Sequence, residues 1–356
     1  MKQHLFFLFM LSPLLLSAQP IDYNNLDNWE SICFCSYSSF HPSTIVKADN
    51  NWQLLYALRN GLSLAQLDSL NIPYNQSQLL LLRSQRLLRR SQNIYKAVIP
   101  IFDHERTLSL RAHSLSVANS IYPEIEKECS ELLEHLSLQN RSSNAFSILF
   151  SYVLDGLSWE RFERDELVIE RDGSEIWSGY YWFLTPKRTF QCGTNSLISG
   201  GIEFSSNWSD LESVTDNLFD NDIKALIQSL RSNARPLDKK LFDEFSAYGF
   251  FNPDSTLTIP VINEKETNTL CLLSNEIMDK LLPAFLEKAD IETLKTLYQI
   301  SDTSEAIVIF YHEVMWDIMG LLLQKEIVQL PTAFQFPEKA QPTDAADLCF
   351  IVIREN

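Results

Sequence analysis

The stretch NQSQLLLLRSQRLLRRSQNIYKAVIPIF, residues 75 to 102, joins a helical pattern directly to an extended one. Its first part, residues 75 to 91, carries leucines at helical spacing after a residue that can cap a helix, Asn75 or Ser77. Its second part is rich in β-branched and aromatic residues and predicts a strand. The charged segment DHER (103–106) and the alternating run RTLSLRA (106–112) then predict a turn and a second strand, and therefore a hairpin.

Two shorter helices are predicted before this stretch. NNWQLLYALRNG (50–61) ends at a glycine, and SLAQLDSLN (63–71) begins at a capping residue, Ser63. Three helices followed by a two-stranded wing resemble the winged helix-turn-helix fold over residues 49 to 112. The resemblance lies in the order of the elements and includes no diagnostic motif. It implies a fold that is used mainly for binding, although a fold alone does not fix a function.

The chain also resembles itself at an offset of 160 residues. VIPIFDHER (98–106) corresponds to TIPVINEKE (258–266), and eight of the 52 positions from 99 to 150 are identical at this offset. Two of the identities are prolines, which mark restricted backbone positions, and the spacing is unbroken, so the pattern favours an internal duplication. A second winged-helix-like unit is therefore expected over 209–336, with its hairpin in STLTIPVINEKETNTLCLL (255–273).

The remaining segments predict β-structure. Short aromatic runs separated by glycine, proline and asparagine predict a small β-rich insertion over 166–208. The C-terminal strand, in 337–356, can pair with this insertion or with the second unit, and the N-terminal extended segment, 20–48, can also join the insertion. With the first winged-helix-like unit at 49–165, the expected fold class is α+β and helix-rich.

Composition excludes several classes of protein. Of 356 residues, 45% are hydrophobic and 12% aromatic, which excludes a disordered chain. The 46 acidic and 29 basic residues give a net charge of −17, so the overall field repels nucleic acid and anionic membranes, although a local basic patch can still act. Only nine glycines occur, and no glycine-rich phosphate loop is present, which disfavours nucleotide-binding folds.

The N-terminus MKQHLFFLFMLSPLLLSAQP (1–20) is typical of a secretory signal peptide. One early cation precedes an apolar run that is shorter than the roughly twenty residues of a membrane-spanning helix. Cleavage after Ala18 or Gln19 is expected, with residues 1–19 removed. The mature protein is predicted to be exported, periplasmic or extracellular, without a membrane span.

Six cysteines are permitted to pair in an oxidising compartment. Cys33 and Cys35 share one face of a predicted strand, which favours a disulfide from one of them to Cys192 or Cys349 over a bond between them. Cys129 and another cysteine at 271 lie among apolar residues and are expected to be buried thiols.

Two groups of residues are candidates for binding. Arg83, Arg86 and Arg90 fall at i, i+3 and i+7 of the third predicted helix, a basic stripe suited to phosphate or carboxylate groups. The alternative is a solvated helix face. The aromatic residues Trp177, Tyr180 and Trp182 of the insertion are numerous enough to form a binding surface or a core. The expected partner is an unknown protein or an anionic ligand, and nucleic acid is disfavoured.

Cys192 and His312 are weak catalytic candidates. FQCGTNSLISGG (190–201) resembles the nucleophile segment of cysteine peptidases, with His312 as the histidine that follows it. That chemistry requires a helix beginning at the cysteine, whereas the residues after Cys192 predict a turn and a strand. YHEVMWDIM (311–319) has a histidine and a glutamate of the zinc-protease pattern, but Trp316 occupies the position of the second histidine. No metal and no cofactor are therefore expected.

The sequence favours an exported, non-enzymatic binding or scaffolding protein built from duplicated winged-helix-like units. The alternative is a hydrolase of the cysteine-peptidase type that uses Cys192 and His312. A second alternative is a DNA-binding regulator, which requires that the N-terminus is not a signal peptide.

Overall fold

The computed structural model of the chain describes residues 22–37, 41–169, 176–220, 222–231, 238–264 and 268–354. The protein has a mixed α+β structure that is rich in helix, as expected. The predicted signal peptide lies outside the described residues. The chain forms two compact units. The first contains the described residues 22–101, 176–177 and 181–187, and the second contains the other described residues from 102 onward.

The first unit combines short helices with short strands. Its helices are α1 (Pro42–Val46), α2 (Asn51–Ala57), α3 (Leu64–Ser69) and α4 (Gln76–Ser84). Its strands include β1 (Glu30–Tyr37), β2 (Leu62–Ser63), β3 (Leu88–Ser91) and β4 (Ile94–Ala97). Strands β2, β4 and β3 form a three-stranded sheet in that order, so the strand that precedes α3 pairs with the second strand of the hairpin that follows α4.

Helix α4 is shorter than predicted, and the hairpin begins earlier. The helix starts at a capping box between Asn75 and Gln78 and ends at Ser84. Arg86 has a left-handed backbone (φ 54°), and the next two leucines, at 87 and 88, are both buried, so the chain leaves the helix to enter the sheet. Strands β3 and β4 are antiparallel, with Leu88 opposite Ala97.

The predicted turn DHER is the start of a helix. Asp103 caps helix α5 (His104–Leu138) by accepting a hydrogen bond from Arg106 N at 3.1 Å. In a strand, Leu108 and Leu110 would project from the same face. Leu108 is 48% exposed and Leu110 is 1% exposed, which agrees with a helix. The prediction of a hairpin over residues 93 to 112 was therefore wrong, since its second strand is the first turns of α5.

The aromatic strand of the predicted insertion is buried. Strand β6 (Trp177–Leu184) lies between β1 and the short strand β5 (Ile101–Phe102) in a three-stranded sheet. Trp177 and Tyr181 belong to the hydrophobic core of the first unit, where they pack with the side chains of α2 and α4. The N-terminal segment thus pairs with a strand of the predicted insertion, as the sequence allowed.

The second unit is dominated by long helices. Besides α5 it contains α6 (Ala145–Ser147), a π-helical segment (Ile148–Leu157), α7 (Ser158–Arg164), α8 (Ile223–Arg231), α9 (Lys239–Ser246), α10 (Thr269–Lys288), α11 (Ile291–Tyr298), α12 (Thr303–Gln324), α13 (Thr332–Gln335) and α14 (Ala345–Leu348). Helix α5 packs against both α10 and α12.

A four-stranded sheet completes the second unit, in the order β7 (Cys192–Ser199), β8 (Ile202–Ser209), β10 (Cys349–Ile353) and β9 (Val261–Asn263). Strand β10 is antiparallel to β8, with Ile351 opposite Phe204, and parallel to β9, with Ile351 opposite Val261. The two pairings that the sequence left open for the C-terminal strand both occur, because a central strand has two hydrogen-bonding edges.

The second predicted winged-helix-like unit differs from the prediction. Among its described residues, α8 and α9 are present, but β9 pairs with β10 instead of forming a hairpin. The second half of that predicted hairpin belongs to α10, which Asn268 caps by accepting a hydrogen bond from Cys271 N at 2.7 Å. Both predicted hairpins therefore contain the same error: the capped first turns of a helix, α5 or α10, were predicted to be a strand.

The segments that match at an offset of 160 are alike in structure over part of their length. β5 aligns with β9, and the first part of α5 aligns with α10, with a proline inside each helix, whereas the end of α5 aligns with the separate helix α11. Leu110 and Leu270 are both buried, as are Ser114 and Ser274. Corresponding positions therefore face the core in both helices.

None of the six cysteines, all of which lie among the described residues, is in a disulfide. The predicted disulfide from Cys33 or Cys35 to Cys192 or Cys349 is not present, so that prediction was wrong. Cys33 and Cys35 instead lie next to each other, with their sulfur atoms 2.6 Å apart. Cys129 is completely buried, as predicted, whereas the cysteine at 271 is half-buried.

Among the described residues, α12 is the one helix whose length and composition would allow it to cross a membrane. From the sequence, no segment after residues 1–19 was predicted to be long and apolar enough to span a membrane, and α12 differs from that prediction by length and composition. Two-thirds (67%) of its most apolar stretch is buried within the protein, which is usual for a core helix.

Candidate functional site

The basic residues predicted to bind a partner lie on α4, on the segment that follows it and on the hairpin. Arg83 is on α4, Arg86 is in the connection, and Arg90 is on β3, so they do not form the single helical stripe that was predicted. Helix α4 ends at Ser84, before Arg86. All three side chains are nevertheless exposed. Two further exposed cations, Arg89 and Lys96, lie on the same hairpin.

We use the name basic face for the surface of α4 and the hairpin that carries these five residues. Arg89 is opposite Lys96 in the hairpin, and Arg90, opposite Tyr95, projects from the other side of the strand. No acidic residue occurs between Asp68 and Asp103, so the segment that contains the face carries five positive charges in a chain of net charge −17. Arg90 is held in place on the hairpin, where its Nε donates a hydrogen bond to Gln92 O at 2.8 Å and its guanidinium lies 5.3 Å from the centre of the Tyr95 ring. The basic face is thus a local reversal of the overall charge.

Large apolar side chains are exposed on the same helix and hairpin as these cations. Leu80 is 63% exposed and Leu81 is 41% exposed on α4, and Ile94 is 42% exposed at the start of β4. Leu80 precedes Arg83 by three residues, which places both side chains on one face of the helix. Exposed apolar groups surrounded by charged groups are typical of protein-binding surfaces, in which the apolar groups become buried on association.

The three aromatic candidates do not form a surface. Trp177, Tyr180 and Trp182 are 3%, 2% and 0% exposed. Trp177 Nε1 donates a hydrogen bond to Gln85 O at 3.1 Å, and Tyr180 Oη donates one to Ile169 O at 2.6 Å. Because a buried ring cannot contact a partner, the predicted binding role of these residues is corrected to a role in the core.

Cys192 lies in an environment that disfavours a nucleophile. It is the first residue of β7, and its side chain is buried. Burial raises the pKa of its thiol well above the usual value, and the carboxylates of Asp155 and Asp210 raise it further. Catalytic cysteines require a lowered pKa, because the thiolate is the reactive form. No helix begins at Cys192, so a helix N-terminus does not oppose these effects.

His312, the other catalytic candidate, lies beside a buried carboxylate. Its Nδ1 is 3.9 Å from Glu313 Oε1. The observation that disfavours the cysteine-peptidase alternative is the burial of the Cys192 thiol, which raises its pKa.

A buried charged cluster surrounds Glu313, whose side chain is completely buried in the middle of α12. Arg188 Nη2 lies 2.6 Å from Glu313 Oε2, and Arg111 Nε lies 3.3 Å from the same atom. Burial acts to raise the pKa of Glu313, but the charge of Arg188, a hydrogen bond with His312 and the charge of Arg111 together outweigh burial and hold the pKa at about 2. Glu313 is therefore ionised and paired with two arginines.

Asp317, one turn further along α12, behaves in the opposite way. Its Oδ2 accepts a hydrogen bond from Ser114 Oγ at 2.5 Å. Burial raises its pKa to about 6, and the nearby negative charge of Glu313 adds to the effect, although Ser114 and the two arginines oppose it. This cluster links α5 and α12 with the segment that contains Arg188. The sequence indicated it only by two acidic residues four apart within a very apolar helix.

One further group, a trio of potential metal ligands, was not predicted from the sequence. Cys33 and Cys35 of β1 and His41, the capping residue of α1, each offer one metal-binding atom, and these three atoms lie within 4.8 Å of one another. The signal was the Cys-x-Cys spacing followed by a histidine six residues later. It was interpreted as part of a disulfide framework.

Comparisons with known proteins give no family for this chain. It matches no protein-family model, no curated protein and no solved structure.

Proposed function

We propose that this protein is a non-enzymatic binding protein that uses the basic face to bind an acidic partner protein. The observation that carries the proposal is the mixture of exposed cations with exposed leucine and isoleucine side chains on α4 and the hairpin. Charge complementarity would attract and orient the partner, and burial of the apolar groups would contribute affinity.

The arrangement of the first unit supports this proposal. A helix, a strand, two helices and a hairpin follow one another, and their sheet order β2, β4, β3 is that of a winged-helix domain. Helix α4 then corresponds to the recognition helix, and the β3–β4 hairpin corresponds to the wing. We infer a single winged-helix-like unit here.

The internal duplication is also part of the proposal. The matched positions of α5 and α10, together with β5 and β9, support a common origin of the two segments. The duplicated unit would be the strand and long helix that follow the wing. Export remains proposed on the basis of residues 1–19 alone.

Acidic protein is favoured over nucleic acid as the partner because of the exposed leucines. Contacts to the phosphate backbone are made mainly by cations and polar groups, and Leu80 and Leu81 would remain in water on a phosphate backbone. An acidic protein surface with apolar side chains would pair with both kinds of residue.

The test uses the full chain and three labelled probes: poly-glutamate, an acidic peptide of equal charge in which glutamate alternates with leucine, and duplex DNA. We expect the glutamate–leucine peptide to bind most tightly. The double variant Arg83→Glu/Arg90→Glu should weaken binding of that peptide at least about ten-fold, a change of about 1.4 kcal/mol. The variant Leu80→Ser should weaken binding of the glutamate–leucine peptide and leave binding of poly-glutamate unchanged.

Matched controls lie on α5, where Lys127 and Leu138 are comparably exposed (75% of the Lys127 side chain and 78% of Leu138). Lys127→Glu and Leu138→Ser should leave binding unchanged. Circular dichroism confirms that each variant is folded. Equal binding by wild type and the double arginine variant would contradict the proposal, and tighter binding of DNA than of the peptide would support the DNA-binding alternative instead.

A further inference from the structure

Strand geometry brings two thiols together in the first unit. Cys33 and Cys35 are separated by one residue in β1, and alternate residues of a strand project from the same face. Their sulfur atoms lie 2.6 Å apart, and both side chains are half-buried. The pair is therefore shielded in part from water but is still accessible.

An imidazole lies beside the two thiols. His41 precedes α1 as its capping residue, and its Nδ1 lies 2.7 Å from Ser43 Oγ and 3.2 Å from Ser43 N. The ring also makes an edge contact with Tyr181, at 6.0 Å between ring centres. One ring nitrogen and the two sulfur atoms lie within 4.8 Å of one another. Among the described residues, this is the one trio of potential metal ligands with such spacing.

We propose that Cys33, Cys35 and His41 form a binding site for a thiophilic divalent metal ion of the zinc type. Two cysteine sulfurs and one histidine nitrogen are ligands that zinc prefers. Two Zn–S bonds of about 2.3 Å at the tetrahedral angle require the sulfurs to move from 2.6 Å to roughly 3.8 Å apart. The three ligands would then fill three of the four positions and leave the fourth for water. Hard cations such as magnesium and calcium prefer oxygen ligands, which this trio does not offer.

Charge balance supports a divalent ion. Two thiolates and a neutral imidazole carry a total charge of −2, so a divalent cation gives a neutral site, which suits a half-buried location. Metal binding would release the thiol protons to solvent and form metal–sulfur bonds in their place.

Ser43 has a positioning role at this site. Metal binding through Nε2 of His41 requires the proton to be on Nδ1, which then donates a hydrogen bond to Ser43 Oγ. Nδ1 would then give up the hydrogen bond that it accepts from Ser43 N in the metal-free protein. Histidines that bind zinc commonly donate their other ring N–H in this way, which fixes the orientation of the ring.

The experiment measures zinc binding by the full chain, kept reduced, in competition with a chromophoric chelator. We expect one equivalent of zinc to be bound with a single affinity. Cobalt, used as a spectroscopic substitute, should give a sulfur-to-metal charge-transfer band. The double variant Cys33→Ser/Cys35→Ser should lose the charge-transfer band and weaken zinc binding at least about 100-fold, more than the loss usual for second-shell changes.

His41→Asn separates metal binding from helix capping. Asparagine can still accept the hydrogen bond from Ser43 N, so α1 should remain capped, but its amide is a poor ligand for zinc. This variant should keep the thermal midpoint of the metal-free protein while weakening zinc binding at least about ten-fold, the lower end of changes around such sites.

Cys271→Ser is the matched control, since the cysteine at 271 is also half-buried but lies in the second unit. It should bind zinc as the wild type does. The proposal is overturned if the reduced wild type binds no zinc at one equivalent, or if the double cysteine variant binds it equally well. Recovery of Cys33 and Cys35 as a disulfide that resists mild reduction would also overturn it.

Discussion

At the residue scale, two acidic side chains of α12 that lie one turn apart have opposite pKa shifts. Glu313 and Asp317 are both buried or nearly so, yet only Glu313 lies within 3.3 Å of two guanidinium groups. Direct pairing therefore decides the sign of the shift, since burial alone raises the pKa of a carboxyl group.

The raised pKa of Asp317 predicts a pH-dependent stability. In the unfolded chain its pKa is near 3.8, and in the folded protein it is about 6, so the folded state binds more protons between these values. Stability should therefore fall as pH rises from about 4 to about 6.5. The loss should be on the order of 2 kcal/mol, since one pKa unit corresponds to about 1.4 kcal/mol and the group is partly screened by solvent.

Asp317→Asn tests this prediction. The amide oxygen can still accept the hydrogen bond from Ser114 Oγ, but the side chain does not ionise. Chemical denaturation across this pH range should show the variant gaining stability relative to wild type up to about pH 6.5, with a constant difference above it. A difference that does not change with pH would contradict the assignment.

At the element scale, the β3–β4 hairpin turns through two residues, and the first of them is strained. Gln92 has a positive φ of 53°, a backbone conformation that glycine adopts more easily. Ser91 and Ile94 are paired on either side of the turn. Arg90, a candidate binding residue on β3, therefore lies beside a turn in which Gln92 has an unfavourable backbone conformation.

Gln92→Gly should therefore stabilise the first unit by roughly 0.5 to 1 kcal/mol. The backbone oxygen of Gln92 that accepts the hydrogen bond from Arg90 is kept. Thermal or chemical unfolding measures the change, and Ser91→Gly, at an extended strand position, serves as a control that should be destabilising or neutral. If the Gln92 variant is less stable than wild type, the side chain makes a contribution that outweighs the backbone strain.

The same scale explains the main error of the sequence predictions. In RTLSLRA (106–112), and in the second half of the hairpin predicted at 255–273, apolar and polar residues alternate over a few positions. This alternation predicts strands. In both places a capping residue, Asp103 or Asn268, starts a long helix whose buried positions recur every three or four residues. A short window contains both patterns, and only the length of α5 and α10 distinguishes them.

At the scale of the whole molecule, the net charge of −17 opposes compactness. Screening should therefore stabilise the protein, and we expect the thermal midpoint near pH 7 to rise by at least about 2 °C when sodium chloride is raised from low to moderate concentration, since the Debye length falls below about 10 Å. Differential scanning calorimetry measures the change. Near the sequence pI of about 4.8 the same addition should have little effect.

The sequence alone determined the α+β class, the places at which α2, α3 and α4 begin, and the tendency of the C-terminal segment to form a strand. These depend on local composition, capping residues and periodicity, which are properties of neighbouring residues. The exposure of Arg83, Arg86 and Arg90 also followed from local sequence, because charged side chains are mostly exposed, although their predicted arrangement on one helix did not form. Helix α1, in the segment predicted to be extended, was missed.

Only the tertiary structure decided where these elements meet. The burial of Trp177, Tyr180 and Trp182, the pairing of Glu313 with Arg111 and Arg188, and the juxtaposition of Cys33 and Cys35 with His41 depend on chain folding. Aromatic residues suit a core and a binding surface equally well, and charges far apart in the sequence pair only when packing brings them together. Such pairings are set by the fold and are not encoded in any short stretch.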